Sequence, residues 1–323
     1  MLLVNFWQPT ATNDALKFRA HILSNVRKFF HYRGVLEMDV PLLGKTGVTD
    51  PFIDCFELNV NGETRYLQSS PEYFMKRLLA SGSGPIYFLG KAFRAEEISS
   101  KHQPEFTILE WYRLDFDDNQ LMKEIADLMN MLKVSNSYQS IRYADLFKKY
   151  IRINPHEARL EDLQKIASTV SDASFFEEDR SVCLDLIFSM CIEPQLPKGL
   201  VFIYDYPACQ SALAKQKKDH EGNYVAQRFE LYLDNLELAN GYVELIDPDE
   251  HIARFAKDQL IRERLGKKII PLDHNLLESL NYGLPACAGV AIGIDRLIMK
   301  LMDLNDISKV MSFGHTGVDS NND

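Results

Sequence analysis

Two stretches of sequence, far apart in the chain, decide the fold. The first is Phe93-Arg94-Ala95-Glu96-Glu97, which a short loop joins to Glu105-Phe106-Thr107-Ile108-Leu109-Glu110-Trp111-Tyr112. The second is Gly289-Val290-Ala291-Ile292-Gly293-Ile294-Asp295-Arg296. Each contains an arginine, and a planar guanidinium group matches phosphate oxygens with paired hydrogen bonds. Arg94 and Arg296 are therefore the candidates for binding a nucleotide phosphate.

The bulk composition is that of a soluble globular protein. The chain has 323 residues, of which 46% are apolar and 25% charged. Its 36 basic residues against 46 acidic ones give a net charge of −10. Proteins that hold nucleic acid by its backbone usually carry a basic face, and the basic runs here are short. The composition therefore argues against a nucleic-acid partner.

Cysteine usage and the N-terminus indicate a cytoplasmic protein. The five cysteines form no C-x-x-C pair, which favours free thiols in a reducing compartment. The first residues lack both a basic start and a sustained apolar core, so they do not resemble a signal peptide. The longest apolar stretch is too short to cross a bilayer, and we expect no membrane association.

The order of elements predicts an α+β fold, in which helices flank an antiparallel β-sheet. Apolar residues at three- and four-residue steps predict a helix over 13–33, with Asn13 as N-cap and Gly34 as its C′ stop. Ser70-Pro71-Glu72 opens a second helix, with Ser70 as cap and Pro71 at the first position. Residues 141–198 read as a helical insertion packed beside the sheet.

The segment 228–245 is predicted to form a hairpin that carries acidic side chains. Asp234-Asn235 is a fair two-residue turn, and this turn pairs 233 with 236, 232 with 237 and 230 with 239. Glu230 and Glu237 then lie on one face as diagonal neighbours. Two adjacent carboxylates repel each other unless a cation lies between them, which suits Mg²⁺ bound with ATP oxygens.

Glu244 is the third acidic residue of this segment. Strict alternation places it on the opposite face from Glu237. The dipeptide Asn240-Gly241 lies between the two glutamates, and a β-bulge there would turn Glu244 back towards Glu237.

The two opening stretches resemble motif 2 and motif 3 of the class II aminoacyl-tRNA synthetases. That resemblance implies activation of an amino acid by ATP, with Arg94 and Arg296 stabilising the charge that develops on the α-phosphate. It also implies that the ATP site includes Glu96, Gln103, Glu237, Leu238 and Gly293. The helix over 13–33 and the strand after it resemble motif 1, which in this family builds a homodimer interface.

The resemblance narrows to the lysyl-tRNA synthetases. Their signature is similar to Glu237-Leu238-Ala239-Asn240-Gly241-Tyr242-Val243-Glu244-Leu245, to Ser70-Pro71-Glu72 and to the run from His102 to Tyr112. In that family Glu244 and Tyr112 would hold the side-chain ammonium of lysine, and Glu72 and Glu110 would lie near the other amine. A diamine substrate gives each of these carboxylates an ammonium to bind once water is removed.

Two departures from the lysyl enzymes decide the function. The motif 1 helix begins near residue 13, so we expect no anticodon-binding domain and a single catalytic domain over 1–323. Ala291 replaces the middle glycine of the motif 3 pattern G-x-G-x-G. Both features resemble the elongation factor P–(R)-β-lysine ligases (the EpmA family). That resemblance implies β-lysyl-adenylate formation and transfer to a lysine of elongation factor P, with no tRNA substrate.

Three alternatives remain open on the sequence. A paralogue that makes a free small-molecule amide would share the activation chemistry and differ only in its acceptor. A stand-alone core that charges tRNA would lose activity when RNase is added. A regulatory subunit without catalysis is disfavoured, because Arg94, Arg296, Glu230 and Glu237 are all present.

The alanine in motif 3 gives a first testable prediction. One added methyl group in a tight pocket discriminates between substrates by about 1–3 kcal/mol. Ala291→Gly is therefore expected to relax selection for the amine position and to raise activation of α-lysine about tenfold or more. ATP–pyrophosphate exchange with α-lysine measures the effect. Unchanged α-lysine activation would mean that Ala291 only packs a strand.

Overall fold

The computed structural model describes residues 7–95 and 98–315, which form two compact units. The first unit takes its residues from Met1–Leu114, Ile246–Ala286 and Ala291–Asp323. The second takes them from Asp115–Leu245 and Cys287–Val290.

The helices and strands alternate irregularly along the chain. The α-helices among the described residues are α1 (Asn13–Tyr32), α2 (Glu72–Ala80), α3 (Asp118–Met131), α4 (Tyr143–Tyr150), α5 (Leu160–Ser171), α6 (Arg180–Ile187), α7 (Pro248–Arg264), α8 (His274–Gly283) and α9 (Ile294–Leu301). The strands are β1 (Leu36–Glu37), β2 (Leu43–Gly44), β3 (Glu57–Val60), β4 (Glu63–Leu67), β5 (Ile86–Phe93), β6 (Glu105–Leu114), β7 (Tyr138–Arg142), β8 (Leu200–Pro207), β9 (Gln216–Lys218), β10 (Tyr224–Leu233), β11 (Leu236–Val243) and β12 (Cys287–Gly293). Each helix among these residues is too short or too polar to cross a membrane.

The N-cap of helix α1 lies one residue earlier than the sequence predicted. The N-cap is Thr12, whose hydroxyl accepts a hydrogen bond from the Ala15 amide at 3.2 Å. Asn13 is the first helical residue, so its prediction as the cap was wrong. The stop at Gly34 is confirmed, because Gly34 has a φ of 65° just after the C-cap.

The first unit is organised by a long hairpin. Strands β5 and β6 pair antiparallel without a break from Ile86 opposite Tyr112 to Phe93 opposite Glu105, and β1 lies parallel to β5. A smaller sheet has the order β2-β4-β3. The hairpin fixes the two ends of motif 2, because Arg94 follows β5 at the loop end and Tyr112 lies at the opposite end.

The second unit contains the strand order β11-β10-β8-β7, with β9 paired to β10. All of these pairs are antiparallel except β7 with β8. The segment 141–198 supplies α4, α5 and α6, and their apolar faces are buried. In this core the Tyr143 ring stacks on Phe147 at 4.8 Å and on Phe188 at 5.3 Å between centroids. Antiparallel pairing predominates in both units, and the predicted α+β class is confirmed.

Helix α3 carries a reciprocal N-terminal cap that can be tested. The Asp117 side chain accepts from the Gln120 amide at 2.7 Å, and the Gln120 side chain accepts from the Asp117 amide at 2.9 Å. Asp117→Ala removes one half of this capping box, so it should lower the free energy of unfolding by about 1 kcal/mol. Urea unfolding measures the loss.

Asp14→Ala is the matched control for this variant. Asp14 is also an acidic residue at the start of a helix, but its side chain is 92% exposed. Its loss should change the unfolding free energy by no more than about 0.5 kcal/mol. Equal losses in the two variants would contradict a specific role for the capping box.

Candidate active site

The two arginines of the predicted phosphate site lie in the first unit, each just after a strand. Arg94 follows β5, where its amide donates to the carbonyl of Pro104 at 2.9 Å. Its guanidinium group lies over the Phe106 ring, 5.2 Å from the ring centroid. Arg296 is in the first turn of α9, directly after β12. Arg94 thus directly follows a strand and Arg296 lies on a helix, and such regular elements position side chains more precisely than long loops do.

The motif 2 loop is joined to Arg296 through His102. The Arg296 guanidinium donates to the Lys101 carbonyl at 3.3 Å and contacts Nε2 of His102. Burial, Arg296 and Arg94 lower the pKa of His102 to about 4, so its ring is neutral near pH 7. Because arginine only donates, Nε2 is the acceptor, and Nδ1 carries the proton towards the Ser99 hydroxyl at 2.8 Å. Sequence reasoning assigned no role to His102.

Asp295 anchors the helix that carries Arg296. Its buried carboxylate accepts from Arg19 at 2.5 Å and from the Thr107 amide at 2.6 Å. These bonds join α9 to α1 and to β6 within the first unit. Sequence reasoning quoted Asp295 only as part of motif 3. No local sequence signal marks it, because its partners Arg19 and Thr107 are far away in the chain.

The space around Gly293 is large enough for a Cβ without a steric clash. An added Cβ would lie 3.7 Å from the nearest atom, Cδ of Arg296, which is an ordinary contact. Its φ of −74° is open to every residue. The turn from β12 into α9 therefore does not require a glycine here, and the space beside Arg296 suits a ligand. Ala291, two residues earlier on β12, is partly buried.

Two further motif 2 residues, Glu96 and Gln103, belong to the predicted ATP site. Glu96 lies outside the described residues. Gln103 is 3% exposed, and its amide group donates to the His315 carbonyl at 2.8 Å and accepts from the His315 amide at 2.6 Å. A role of either residue in ATP binding stays a prediction.

The predicted amine-binding residues of the first unit form one hydrogen-bonded cluster. Ser70 Oγ donates to Glu110 Oε2 at 2.8 Å and accepts from the Glu72 amide at 3.0 Å. The Tyr112 hydroxyl donates to Glu110 Oε1 at 2.7 Å. Pro71 is the N-cap of α2 and Glu72 its first residue, so the predicted cap at Ser70 and the predicted first position at Pro71 were each wrong by one residue. The start of α2 and the strand β6 thus bring two carboxylates to one place.

The ionisation of Glu110 is shifted towards neutral pH. Burial is the largest cause and the neighbouring Glu72 is the second, and together they raise the pKa of Glu110 to about 7. Hydrogen bonds from Tyr112 and Ser70, and the positive charge of Lys76, act in the opposite direction. Shifted carboxylates of this kind are frequent at functional sites.

The hairpin of the second unit contains a bulge that the sequence placed elsewhere. The predicted pairs 233 with 236 and 232 with 237 are confirmed. The next pairs are Leu231 with Ala239 and Glu230 with Asn240, so Leu238 is the extra residue. Pairing of 230 with 239 was therefore wrong, and the bulge precedes Asn240-Gly241.

The bulge at Leu238 brings Glu244 to the face of Glu237, which is the effect expected of the bulge predicted at Asn240-Gly241. Residue 237 lies opposite 232, and 240 lies opposite 230, so both belong to the face of Glu230. Alternation from Asn240 then brings Glu244 to the same face as Glu237. Glu244 is 2% exposed, and its amide donates to the Cys287 carbonyl at 2.9 Å.

Glu230 is held by three side chains of its own unit. Its Oε2 accepts from Tyr206 at 2.6 Å and from Tyr232 at 2.7 Å, and its Oε1 accepts from Arg228 at 2.6 Å. Arg228 also donates to the side chain of Asn240 at 3.1 Å. Metal binding by Glu230 and Glu237 stays a prediction, and it requires Glu230 to share its carboxylate with Arg228.

Not every predicted residue carries evidence of a ligand. Leu238 is buried as the extra residue of the bulge, and its part in ATP binding stays a prediction. Within 7–95 and 98–315, histidine, cysteine, aspartate and glutamate side chains form no cluster of three or more that is able to hold a metal ion.

Comparison with known proteins places these features in a family. The profile of the class II tRNA synthetases (D, K and N) matches residues 4–317. The chain therefore belongs to the class II tRNA synthetase family.

Individual relatives define the group more narrowly. Elongation factor P–(R)-β-lysine ligase of Photorhabdus laumondii is 44% identical, over 96% of this chain and 98% of its own. The ligases of the same name from Photobacterium profundum and Yersinia pestis are each 42% identical, over 95% of this chain and 97% of theirs. The resemblance drawn from the motifs is confirmed.

Gly293 and Gly241 form a matched pair for testing ATP binding. Gly293→Ala leaves the protein packing unchanged and fills the space beside Arg296, so it should raise the KM for ATP about tenfold without lowering the melting temperature. In Gly241→Ala the new Cβ meets the Phe229 ring at 2.6 Å and Val290 Cβ at 2.8 Å. That variant should instead lose about 1–3 kcal/mol of stability.

ATP titration of pyrophosphate exchange and thermal unfolding separate the two effects. A Gly293→Ala protein with a lowered melting temperature and an unchanged KM for ATP would contradict the assignment of this space to the nucleotide.

Proposed function

We propose that this chain activates (R)-β-lysine with ATP and transfers it to a lysine side chain of elongation factor P. The observation that carries the proposal is the identity of 42–44% to ligases of that name over at least 95% of the chain. The proposal is supported by Ala291, which departs from the lysyl enzymes, and by the intact pair Arg94 and Arg296.

The phosphate chemistry needs charge stabilisation and no covalent nucleophile. As the substrate carboxylate attacks the α-phosphate, negative charge grows on the phosphate oxygens, and Arg94 and Arg296 donate to them. Pyrophosphate leaves, and an acyl-adenylate forms. Mg²⁺ would neutralise the polyphosphate, with Glu237 and Glu230 as its proposed ligands. Gly293 leaves room for the nucleotide, and Glu96, Gln103 and Leu238 are proposed to line it.

The amino-acid side of the site is proposed to bind the two ammonium groups of β-lysine separately. Glu244 and Tyr112 would take the side-chain ammonium, and Glu72 and Glu110 the amine nearer the carboxylate. A desolvated ammonium requires a carboxylate or several acceptors around it. The cluster of Ser70, Glu72, Glu110 and Tyr112 in the first unit supports this assignment.

In the second step the ε-amine of a lysine on elongation factor P attacks the acyl carbon of the adenylate. The new C–N bond is an amide, the bond from the acyl carbon to the phosphate oxygen breaks, and AMP leaves while the amine loses a proton. The protein acceptor would thus occupy the place that tRNA has in the synthetases. The net charge of −10 supports a protein acceptor over tRNA.

Two further properties belong to the same proposal. A homodimer is proposed from the resemblance of the helix over 13–33 and its following strand to motif 1. A cytoplasmic location is proposed because the acceptor is a translation factor and because all five cysteines are free thiols.

ATP–pyrophosphate exchange tests the activation step. Purified protein is offered (R)-β-lysine, α-lysine, aspartate and asparagine in parallel, and the expected result is the fastest exchange with (R)-β-lysine. Arg94→Ala is expected to reduce that exchange by about 10²–10³, since it removes a donor to the transition state. Absence of exchange with all four amino acids would overturn the proposal.

The intact mass of elongation factor P after incubation tests the transfer step. A gain of one lysyl unit is the expected result, and the control is elongation factor P in which the modified lysine is replaced by arginine. Exchange without a gain in protein mass would move the acceptor to a small molecule or to tRNA. Sensitivity of the aminoacylated product to RNase would then distinguish these two.

A further inference from the structure

Lys76 is a buried lysine beside the proposed amine site. It lies one helical turn after Glu72 on α2, and its side chain is 0% exposed. The ammonium group lies 2.7 Å from Glu72 Oε1, while the Glu72 side chain keeps 16% of its exposure. Lys76 therefore approaches Glu72 from the protein interior, and Glu72 is the more accessible partner.

A lysine in this position has no simple structural explanation. Lysine is almost never fully buried unless it is paired. Replacing a buried ion pair by apolar side chains is often neutral or stabilising, so burial of the pair does not by itself serve stability. The pair between Lys76 and Glu72 thus points to a requirement for charge at this place.

The requirement is visible in the arrangement of the two carboxylates. Ser70 Oγ bonds to the Glu110 carboxylate and to the backbone amide of Glu72, and the Glu72 carboxylate is near enough for its charge to raise the pKa of Glu110. Two desolvated carboxylates repel each other and tend to share a proton. With the charge of Lys76 included, two ionised glutamates leave one net negative charge, which one substrate ammonium balances.

We infer that Lys76 is a positioning residue of the amino-acid site, whose buried ammonium keeps Glu72 and Glu110 ready to receive one amine of the substrate. The inference rests on the proposed function for the identity of that amine. The geometry of the cluster is independent of it. Lys76 touches Glu72 and acts on the substrate only through the two carboxylates.

The other titratable groups that face the cluster within the first unit do not supply this charge. Tyr73 is neutral near pH 7, because burial raises its pKa far above the ordinary value, and the Tyr112 hydroxyl donates a hydrogen bond to Glu110. His251 on α7 is buried, and burial together with Lys76 lowers its pKa to about 4. Arg254 on α7 is paired with Glu250.

The test compares Lys76→Gln and Lys76→Met with Arg77→Met. Glutamine keeps a hydrogen-bond donor for Glu72 and removes the charge, while Met also removes the donor. Arg77 is the adjacent residue of α2, so Arg77→Met loses the same charge outside the cluster. If Lys76→Met fails to fold, Lys76→Gln carries the comparison.

The first readout is the KM for (R)-β-lysine in pyrophosphate exchange between pH 6 and 9. In the unchanged protein this KM should fall as the pH rises through about 7, where Glu110 ionises. Loss of the Lys76 charge raises the pKa of Glu110, so the fall should occur about one pH unit higher. The KM for ATP should stay the same in every variant.

Two results of this readout would overturn the inference. One is a pH profile of Lys76→Gln that coincides with that of Arg77→Met. The other is an increase by the same factor in the KM for (R)-β-lysine and in the KM for ATP at every pH, which is what a merely structural role predicts.

The second readout does not depend on the substrate, and it separates failure of this inference from failure of the proposed function. Glu110 is protonated in the folded state up to pH about 7, above its ordinary value of 4.5. Because the pKa of Glu110 is higher in the folded state, its protonation contributes its full stabilisation below the ordinary pKa of 4.5. This stabilisation is lost as the pH rises through about 7. In Lys76→Gln the loss should continue about one pH unit further.

The melting temperature, measured without ligands from pH 5 to 9, reports this difference. Lys76→Gln should lose more stability than Arg77→Met between pH 7 and 8. A constant offset between the two curves would overturn the inference, even where no amino acid supports exchange. Absence of exchange in the unchanged protein, with the expected melting curves, would overturn the proposed substrate and support the role of Lys76.

Discussion

The carboxylate of Asp295 is the contact on which the phosphate-binding part of the first unit depends. It binds Arg19 of α1 and the Thr107 amide of β6, and it lies at the start of α9 beside Arg296. A buried carboxylate that loses one such partner costs about 3–5 kcal/mol, so the three elements are held in one arrangement. Arg296 can then meet the motif 2 loop, where His102 accepts its hydrogen bond as a neutral imidazole.

Buried charged side chains recur in this protein, and those of the amine-binding cluster have defined partners. Glu110 is bound by Ser70 and Tyr112, and Glu72 by Lys76. Such groups cost desolvation energy, which packing alone would not require. Their concentration at the start of α2 and on β6 supports the proposal that this cluster binds one ammonium group of the substrate. It also explains why a carboxylate with a pKa of about 7 occurs here.

In the second unit the important feature is the orientation of the acidic side chains on β11 and just after it. An extra residue in β11, Leu238, offsets the alternation, and Glu237 and Glu244 come to the same face. Arg228 reinforces this region because it bonds both Glu230 and the side chain of Asn240. A Cβ added at Gly241 would clash with Phe229 and Val290, so this position of β11 leaves no space for a side chain.

The sequence by itself determined the α+β class, the motif residues Arg94 and Arg296, the hairpin turn at Asp234-Asn235 and the family, because these depend on local patterns and spacing. Tertiary structure alone decided the position of the bulge, the burial of Lys76 and the contacts of His102 and Asp295. The physical reason is that the free energy of a buried charge or of an offset strand depends on partners far away in the chain. Arg19 and Asp295 are 276 residues apart, and no local pattern links them.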